Sequence, residues 1–369
     1  MDDPLDAMVF SSSTDWPDPL LNRAGQRLTE PRQWPGRRRE IMRLMLPLLY
    51  GDLPPAPATT RLVSLHGAVL RQLSGARLLT CRVEPAAMPA FMLRLFVPHG
   101  AGPFAVIVSG DGCWHYADDA ALTAILARGY VLAEFNRVEV APDPGPPPGE
   151  PSVPQAPAQC RTLASWAWAY HRVVDVLRTL DWIDPAAIAV VGHSRGGKAA
   201  LLAGATDERI ALTSANNSGA GGAGSWRHQG PGAESLADLL RAFGHWFDPG
   251  LQVFAGREHT LPFDQHFLKA LIAPRALLTT EALDDHWANP QGSWQSHRAA
   301  LCVFDLLGAV RQMGIAFRPG GHEHNLADWN SLLDFADAVL RGQPRQRRPA
   351  VDPFPGLAPP TSWRATAMG

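Results

Sequence analysis

One stretch constrains the fold more than any other. An apolar run, Ala187–Val191, enters the turn Gly192-His193-Ser194-Arg195-Gly196 and leaves as the alanine-rich segment Gly197–Ala205. The pattern G-x-S-x-G between a strand and a helix places a serine on a sharp turn at the carboxyl end of a buried strand. The glycines two residues to either side are needed because side chains there collide with neighbouring backbone. The helix that starts after the serine directs its free N–H groups and positive dipole end toward the same point.

The rest of the chain supplies a sheet for that turn. Strand-like segments fall at 61–72, 78–84, 91–97, 104–110, 130–135, 187–191, 209–214, 275–280 and 314–318. Helical patterns fall at 36–49, 117–128, 160–180, 196–205, near 233–243 and 263–271, at 293–311 and at 326–341. Helix 160–180 has its apolar stripe at Leu163, Trp166, Tyr170, Val173, Val174, Leu177 and Leu180. Strands alternating with helices predict an α/β fold with a mostly parallel sheet covered on both faces. Residues 36–341 read as one catalytic domain, 1–35 as an irregular N-terminal arm and 342–369 as a Pro- and Arg-rich tail that leaves the packed domain. Eight prolines between 141 and 158 predict a long irregular surface loop.

Composition removes several classes. With 46% hydrophobic and 18% charged residues over 369 positions, the chain has the apolar mass for a large core. A net charge of -2 leaves no basic field for nucleic acid or an anionic membrane, and the Arg37-Arg38-Arg39 run reads as a solvated helix face. No apolar stretch reaches the ~18 residues of a membrane span. The N-terminus has no basic segment followed by an apolar one, so no secretory signal is visible. Cys81, Cys113, Cys160 and Cys302 are scattered and read as buried free thiols. Of the 33 basic residues only Lys198 and Lys269 are lysines, which singles out Lys198, one turn beyond Ser194.

A serine nucleophile needs a base, and the base an orienting acid. In sheets of this kind both come from loops after later strands, at the carboxyl edge. Strand 314–318 leads into Pro319-Gly320-Gly321-His322-Glu323-His324, and strand 275–280 leads into Glu281-Ala282-Leu283-Asp284-Asp285-His286-Trp287. His322 is the candidate base and Asp285 the candidate acid. His324 and Asp284 compete for those roles, Asp264 is a more distant acid, and His322 with His324 is a weak metal pair. His193, beside the nucleophile, reads as a packed core histidine pointing away from the pocket.

Gly-His-Ser-Arg-Gly-Gly-Lys resembles the elbow of the glucuronoyl esterases, carbohydrate esterase family fifteen. The resemblance extends through EFNRVEVAPD (134–143), SWAWAYHRVVDVL (165–177), NNSGAGGAG (216–224), HWF (245–247), LPFDQH (261–266), APRALL (273–278), DHWANPQG (285–292) and GGHEHNLADW (320–329). It implies an α/β-hydrolase fold, a three-layer αβα sandwich, and a serine esterase acting on esters of 4-O-methyl-glucuronic acid, such as those joining xylan to lignin. It implies further that Ser194 is the nucleophile, His322 the base and Arg195 the oxyanion-stabilising cation. Lys198, Glu234 and Trp287 then bind the uronate, and neither metal nor organic cofactor is required. Such a substrate implies export. Fungal members carry their acid in an E-S-G-A-G-G block, where this chain has Asn217, so the acid is expected at Asp285, as in bacterial members. The competing readings are an acetyl or other carboxyl esterase on the same scaffold and a non-catalytic carbohydrate-binding homologue.

Overall fold

The computed structural model describes residues 16–73, 75–144, 160–344 and 352–360. The strands are β1 (Thr60–Leu70), β2 (Ala76–Pro85), β3 (Phe91–Val97), β4 (Phe104–Ser109), β5 (Val131–Phe135), β6 (Ile183–His193), β7 (Leu212–Asn216), β8 (Ala276–Ala282) and β9 (Met313–Arg318). They form one nine-stranded sheet in the order β1-β2-β3-β5-β4-β6-β7-β8-β9. β1, β2, β3 and β5 pair antiparallel, and from β5 through β4 to β9 every pairing is parallel. The sequence pattern locates the antiparallel strands but carries no direct sign of their direction.

The helices are α1 (Trp34–Tyr50), α2 (Asp119–Ala127), α3 (Thr162–Leu177), α4 (Arg195–Thr206), α5 (Leu236–Phe243), α6 (Gln265–Ala270), α7 (Pro290–Leu306) and α8 (Leu326–Arg341). Alternation along the parallel strands feeds two cores. Val106, Val108, Ile188 and Val190 face the layer of α1, α3 and α4. Ile107, Ala189 and Val191 face α2 and α8. Side chains of successive strand residues point to opposite faces, so a strand buried on both reads as an unbroken apolar run. This is the three-layer arrangement of an α/β-hydrolase. The chain reverses its direction of winding between β4 and β6, the point at whose carboxyl edge open sheets of this kind place their sites.

Two surface expectations are corrected. Arg37 is buried and donates through Nε to the Pro19 carbonyl at 2.9 Å, while Arg38 donates to the carbonyls of Ala205 (2.6 Å) and Leu271 (3.0 Å). Arg38 fastens α1 to the ends of α4 and α6, where orphan carbonyls need donors, Arg37 ties it to the segment at Pro19, and Arg39 alone of the run is exposed as expected. The C-terminal segment 352–360 turns back onto α7. Gln295 and Arg298 donate to the carbonyls of Ala358 and Leu357 at 2.8 and 3.1 Å, and Phe354 packs edge-on against Phe317. Cys81 and Cys302 are buried free thiols, whereas Cys113 is exposed and Cys160 half-buried. Residues 145–159 of the proline-rich loop lie outside the described residues.

At the end of β6 the backbone turns with Ser194 at φ 52° and ψ −123°. A Cβ on Gly192 would run into the Gly196 backbone, and one on Gly196 would run into the Asp111 carboxylate. Asp111, from the loop after β4, accepts from the His193 N–H at 2.8 Å and pairs with the buried Arg137. The Arg137 guanidinium lies 4.1 Å and 4.8 Å from the ring centres of Trp114 and Trp166. The turn is thus braced from the neighbouring strand. Gly192→Ala is expected to destabilise the protein by about 2–3 kcal/mol through overpacking against backbone that cannot move aside. Gly36→Ala in α1, where the Cβ direction is open, is expected to stabilise it by roughly 0.5–1 kcal/mol. Urea unfolding midpoints of the two variants check both signs.

Candidate active site

Ser194, His322 and Asp285 come together at the carboxyl edge of the sheet. His322 Nε2 lies 2.9 Å from Ser194 Oγ, and His322 Nδ1 lies 2.5 Å from Asp285 Oδ2. An imidazole held through Nδ1 by a carboxylate presents Nε2 as the acceptor for the serine proton. Asp285 is buried, and its other oxygen accepts from the Ala288 N–H at 3.3 Å, so the same carboxylate closes the turn that carries it. The His322 side chain is 42% exposed, which leaves the serine–histidine pair open to an incoming ester.

The loop under His322 is tied on several sides. Arg318 donates from Nε to Asp328 at 2.8 Å and from Nη2 to the carbonyls of Gly321 (3.2 Å) and Glu323. Asn217, at φ 43°, donates to the Glu323 carbonyl at 3.1 Å and accepts from the Ala282 N–H at 2.7 Å. Asp284 accepts from the Gly320 N–H at 2.8 Å. Asp284 and Asn217 therefore shape the two loops and do not touch the imidazole.

The other competing residues are placed elsewhere. His324 is buried, stacks on Trp329 with ring centres 4.6 Å apart, and has its imidazole pushed well down by burial and by the nearby His193. Asp264 is fully buried and accepts from the N–H groups of Trp226 (2.9 Å), Arg227 (2.9 Å) and Gln265 (2.6 Å), organising the entry to α6. His193 is buried as expected, yet its ring lies only 4.6 Å from that of His322. Burial, followed by the neighbouring His322, pushes it down to about 3, and Nδ1 sits 2.5 Å from Asn216 Oδ1. It is a neutral, buried packing partner beneath His322, as expected of a core histidine.

Arg195 extends beside the serine. Its Nη1 donates to Asp143 at 2.6 Å, and its guanidinium lies about as far from Phe243 (5.1 Å) as from Trp246 (5.2 Å), measured to the ring centres. Lys198 is not a solvated helix lysine. It is buried, and its ammonium donates to the Ser218 carbonyl (2.8 Å), to Glu234 Oε1 (2.8 Å) and to the Ala220 carbonyl. Burial pushes the lysine down and the glutamic acid up, and their attraction opposes both shifts. Trp287 is 49% exposed, and its carbonyl accepts from the Glu234 N–H at 3.1 Å, which ties the tryptophan loop to the carboxylate.

A serine within reach of a histidine–aspartate pair, flanked by the partly exposed Arg195 and a buried lysine–carboxylate pair, is the arrangement that known relatives can be compared with. The family model for fungal glucuronyl esterases matches residues 89–308. The chain belongs to the glucuronoyl esterase family. A 4-O-methyl-glucuronoyl methylesterase of Podospora anserina is 30% identical over 83% of this chain and 63% of its own length. A carbohydrate esterase family 15 glucuronoyl esterase from Caldicellulosiruptor kristjansonii superposes with a TM-score of 0.80 at 29% identity, covering 95% of this chain and 96% of that one. A serine-to-alanine variant of the Sporotrichum thermophile enzyme, solved with methyl 4-O-methyl-β-D-glucopyranuronate, gives a TM-score of 0.73 at 25% identity over 90% and 89% of the two chains. The glucuronoyl esterases are carboxylic ester hydrolases, and this chain is one of them.

Sequence reasoning assigned no role to Asp143, His245 or Trp246, which surround Arg195, or to Asp111 under the elbow. The blocks EFNRVEVAPD and HWF were the only signal for the first three. Asp285→Asn is expected to lower kcat by roughly 10³–10⁴-fold, because an amide neither stabilises imidazolium nor enforces the tautomer. Asp284→Asn and His324→Phe are expected to leave kcat close to wild type. Steady-state kinetics on one activated ester check all three, and a large loss in Asp284→Asn would move the acid by one position.

Proposed function

We propose that this esterase hydrolyses esters of D-glucuronic acid and its 4-O-methyl ether, with the lignin–xylan ester as the natural setting. Ser194 Oγ attacks the C6 carbonyl carbon while His322 Nε2 takes its proton, and Asp285 stabilises the imidazolium. The carbonyl oxygen becomes an oxyanion, and Arg195 supplies the cation facing it. A fixed charge in a site of low dielectric is strongest where charge develops. His322 then protonates the departing alcohol, leaving a glucuronoyl ester on Ser194. Water attacks that ester as His322 removes its proton, and the serine is released with the free uronic acid.

The observation that carries the uronate reading is the buried Lys198–Glu234 pair, one helical turn from the nucleophile and joined to the Trp287 loop. Burying two charges is costly, and an ester without hydroxyls gains nothing from them. An ionised carboxylate has about four acceptor sites. Lys198 and the Ala220 N–H occupy two of them, so Glu234 has capacity left for sugar hydroxyls. The exposed Trp287 indole offers a flat apolar wall for the C–H face of the ring.

Removing one partner strands a buried charge and destabilises the fold, whereas replacing both by apolar residues of similar size is close to neutral. The test therefore uses Lys198→Met combined with Glu234→Leu. Hydrogen bonds to charged groups are each worth about 1.5–3 kcal/mol, so kcat/KM on benzyl glucuronate is expected to fall at least ten- to a hundredfold. On p-nitrophenyl acetate, which has no hydroxyls to lose, it is expected to hold. Equal losses on both substrates, or no loss on either, would contradict the uronate reading. In Ser194→Ala both activities are expected to disappear with the fold intact by circular dichroism.

A further inference from the structure

We infer that Asp143 is a positioning residue that locks the Arg195 guanidinium in place for the oxyanion, with His245 and Trp246 holding Asp143 in turn. The inference rests on the reading of Arg195 as the oxyanion-stabilising cation.

The geometry is that of a clamp. Asp143 Oδ2 accepts from Arg195 Nη1 at 2.6 Å, and Oδ1 accepts from Trp246 Nε1 at 2.8 Å. His245 Nε2 lies 3.0 Å from the same Oδ1, which makes it a third donor when Nε2 carries the proton. Asp143, His245 and Trp246 are buried about the carboxylate, while the Arg195 side chain is 35% exposed. Trp246 stacks on Phe243 with ring centres 4.0 Å apart and planes 5° from parallel, and both rings lie beside the guanidinium. One edge of the arginine is therefore fixed by a carboxylate and its flank by an aromatic pair. Guanidinium carries five N–H donors, and the single bond to Asp143 leaves others for the substrate oxygen.

A long, partly exposed arginine without such a partner samples many rotamers, and an oxyanion site works only when its donors are oriented beforehand. The carboxylate has a cost, since its negative charge offsets part of the arginine's field. The clamp predicts that orientation outweighs that offset. Burial acts to raise the Asp143 carboxyl, yet the hydrogen bonds from His245, Arg195 and Trp246 outweigh it and hold the group at about 2. The anchor is thus ionised throughout the pH range in which a histidine base works.

The test is a double-mutant cycle on benzyl glucuronate with Asp143→Asn, Arg195→Ala and the pair combined. Arg195→Ala is expected to lower kcat by roughly 10²–10³-fold, the usual cost of losing an oxyanion donor. Asp143→Asn, which keeps the shape of the side chain, is expected to lower kcat by roughly 10–10²-fold, as for a displaced catalytic group, with KM little changed. In the combined variant Asp143→Asn is expected to add nothing to the loss from Arg195→Ala, because a clamp has no effect once its object is gone. Equal losses in both backgrounds would overturn the proposal and make Asp143 a merely structural residue. Unchanged or raised kcat in Asp143→Asn alone would also overturn it, showing that the charge offset wins. If Arg195→Ala itself leaves kcat intact, the oxyanion reading fails first, which separates the two failures. Should Asp143→Asn not fold by circular dichroism, the same cycle with Asp143→Glu keeps the charge and moves it, and the same outcomes decide.

Discussion

The active site depends on one strained turn. Ser194 adopts a positive φ that an L-residue with a side chain avoids, at a cost on the order of 1–3 kcal/mol. Surrounding contacts hold it there. The Ser194 N–H donates to the Asn216 carbonyl at 2.9 Å, at the end of the next strand. The preceding N–H, of His193, goes to Asp111 at 2.8 Å from the strand on the other side. The turn is thus pinned between β4 and β7, and its two flanking glycines are the only residues that fit. The hydroxyl stands above the sheet edge because of this bracing, and the histidine and aspartate loops are built to meet it there.

Around that point the protein clusters charge pairs that are wholly or partly buried. Asp111 pairs with Arg137, Glu234 with Lys198, and Asp143 with Arg195. Such pairs contribute little net stability compared with apolar packing, so their clustering around one serine points to function. The lysines follow the same logic. In a chain that otherwise uses arginine, both Lys198 and Lys269 are buried, and both donate to backbone carbonyls in tight spaces. A compact ammonium with three donors fits such sites where a planar guanidinium does not. Arg195, by contrast, keeps a planar head that one carboxylate grips and that stays partly exposed.

Much of this was legible in the sequence because it is local. G-H-S-R-G between an apolar run and an alanine-rich helix specifies a turn whatever surrounds it. The loops after β8 and β9 bring Asp285 and His322 to the carboxyl edge, where they meet that serine. The parts that were not legible depend on distance along the chain. Asp143 meets His245 and Trp246 roughly a hundred residues away, and no local pattern announces such a contact. The Arg37-Arg38-Arg39 run reads as a solvated face until the carbonyls of Pro19, Ala205 and Leu271 are brought against it. Asp285 is the expected acid, but adjacency alone leaves Asp284 as a competitor. The turn at the end of β8 separates them physically, sending Asp284 toward the Gly320 N–H and Asp285 toward His322. The segment 352–360 looked like a departing tail because its contacts are made mainly by backbone carbonyls, which composition does not reveal.

The central claim is that the site recognises the sugar ring of the acid and not merely an ester bond. The most direct test compares two benzyl esters with the wild-type enzyme, benzyl glucuronate and benzyl tetrahydropyran-2-carboxylate. Carbonyl, leaving group and ring oxygen are the same, and only the ring hydroxyls differ. With hydrogen bonds to charged groups each worth about 1.5–3 kcal/mol, kcat/KM is predicted to be at least a hundredfold higher for the glucuronate. Equal values for the two esters would contradict the account, because the Lys198–Glu234 pair would then take no part in choosing the substrate.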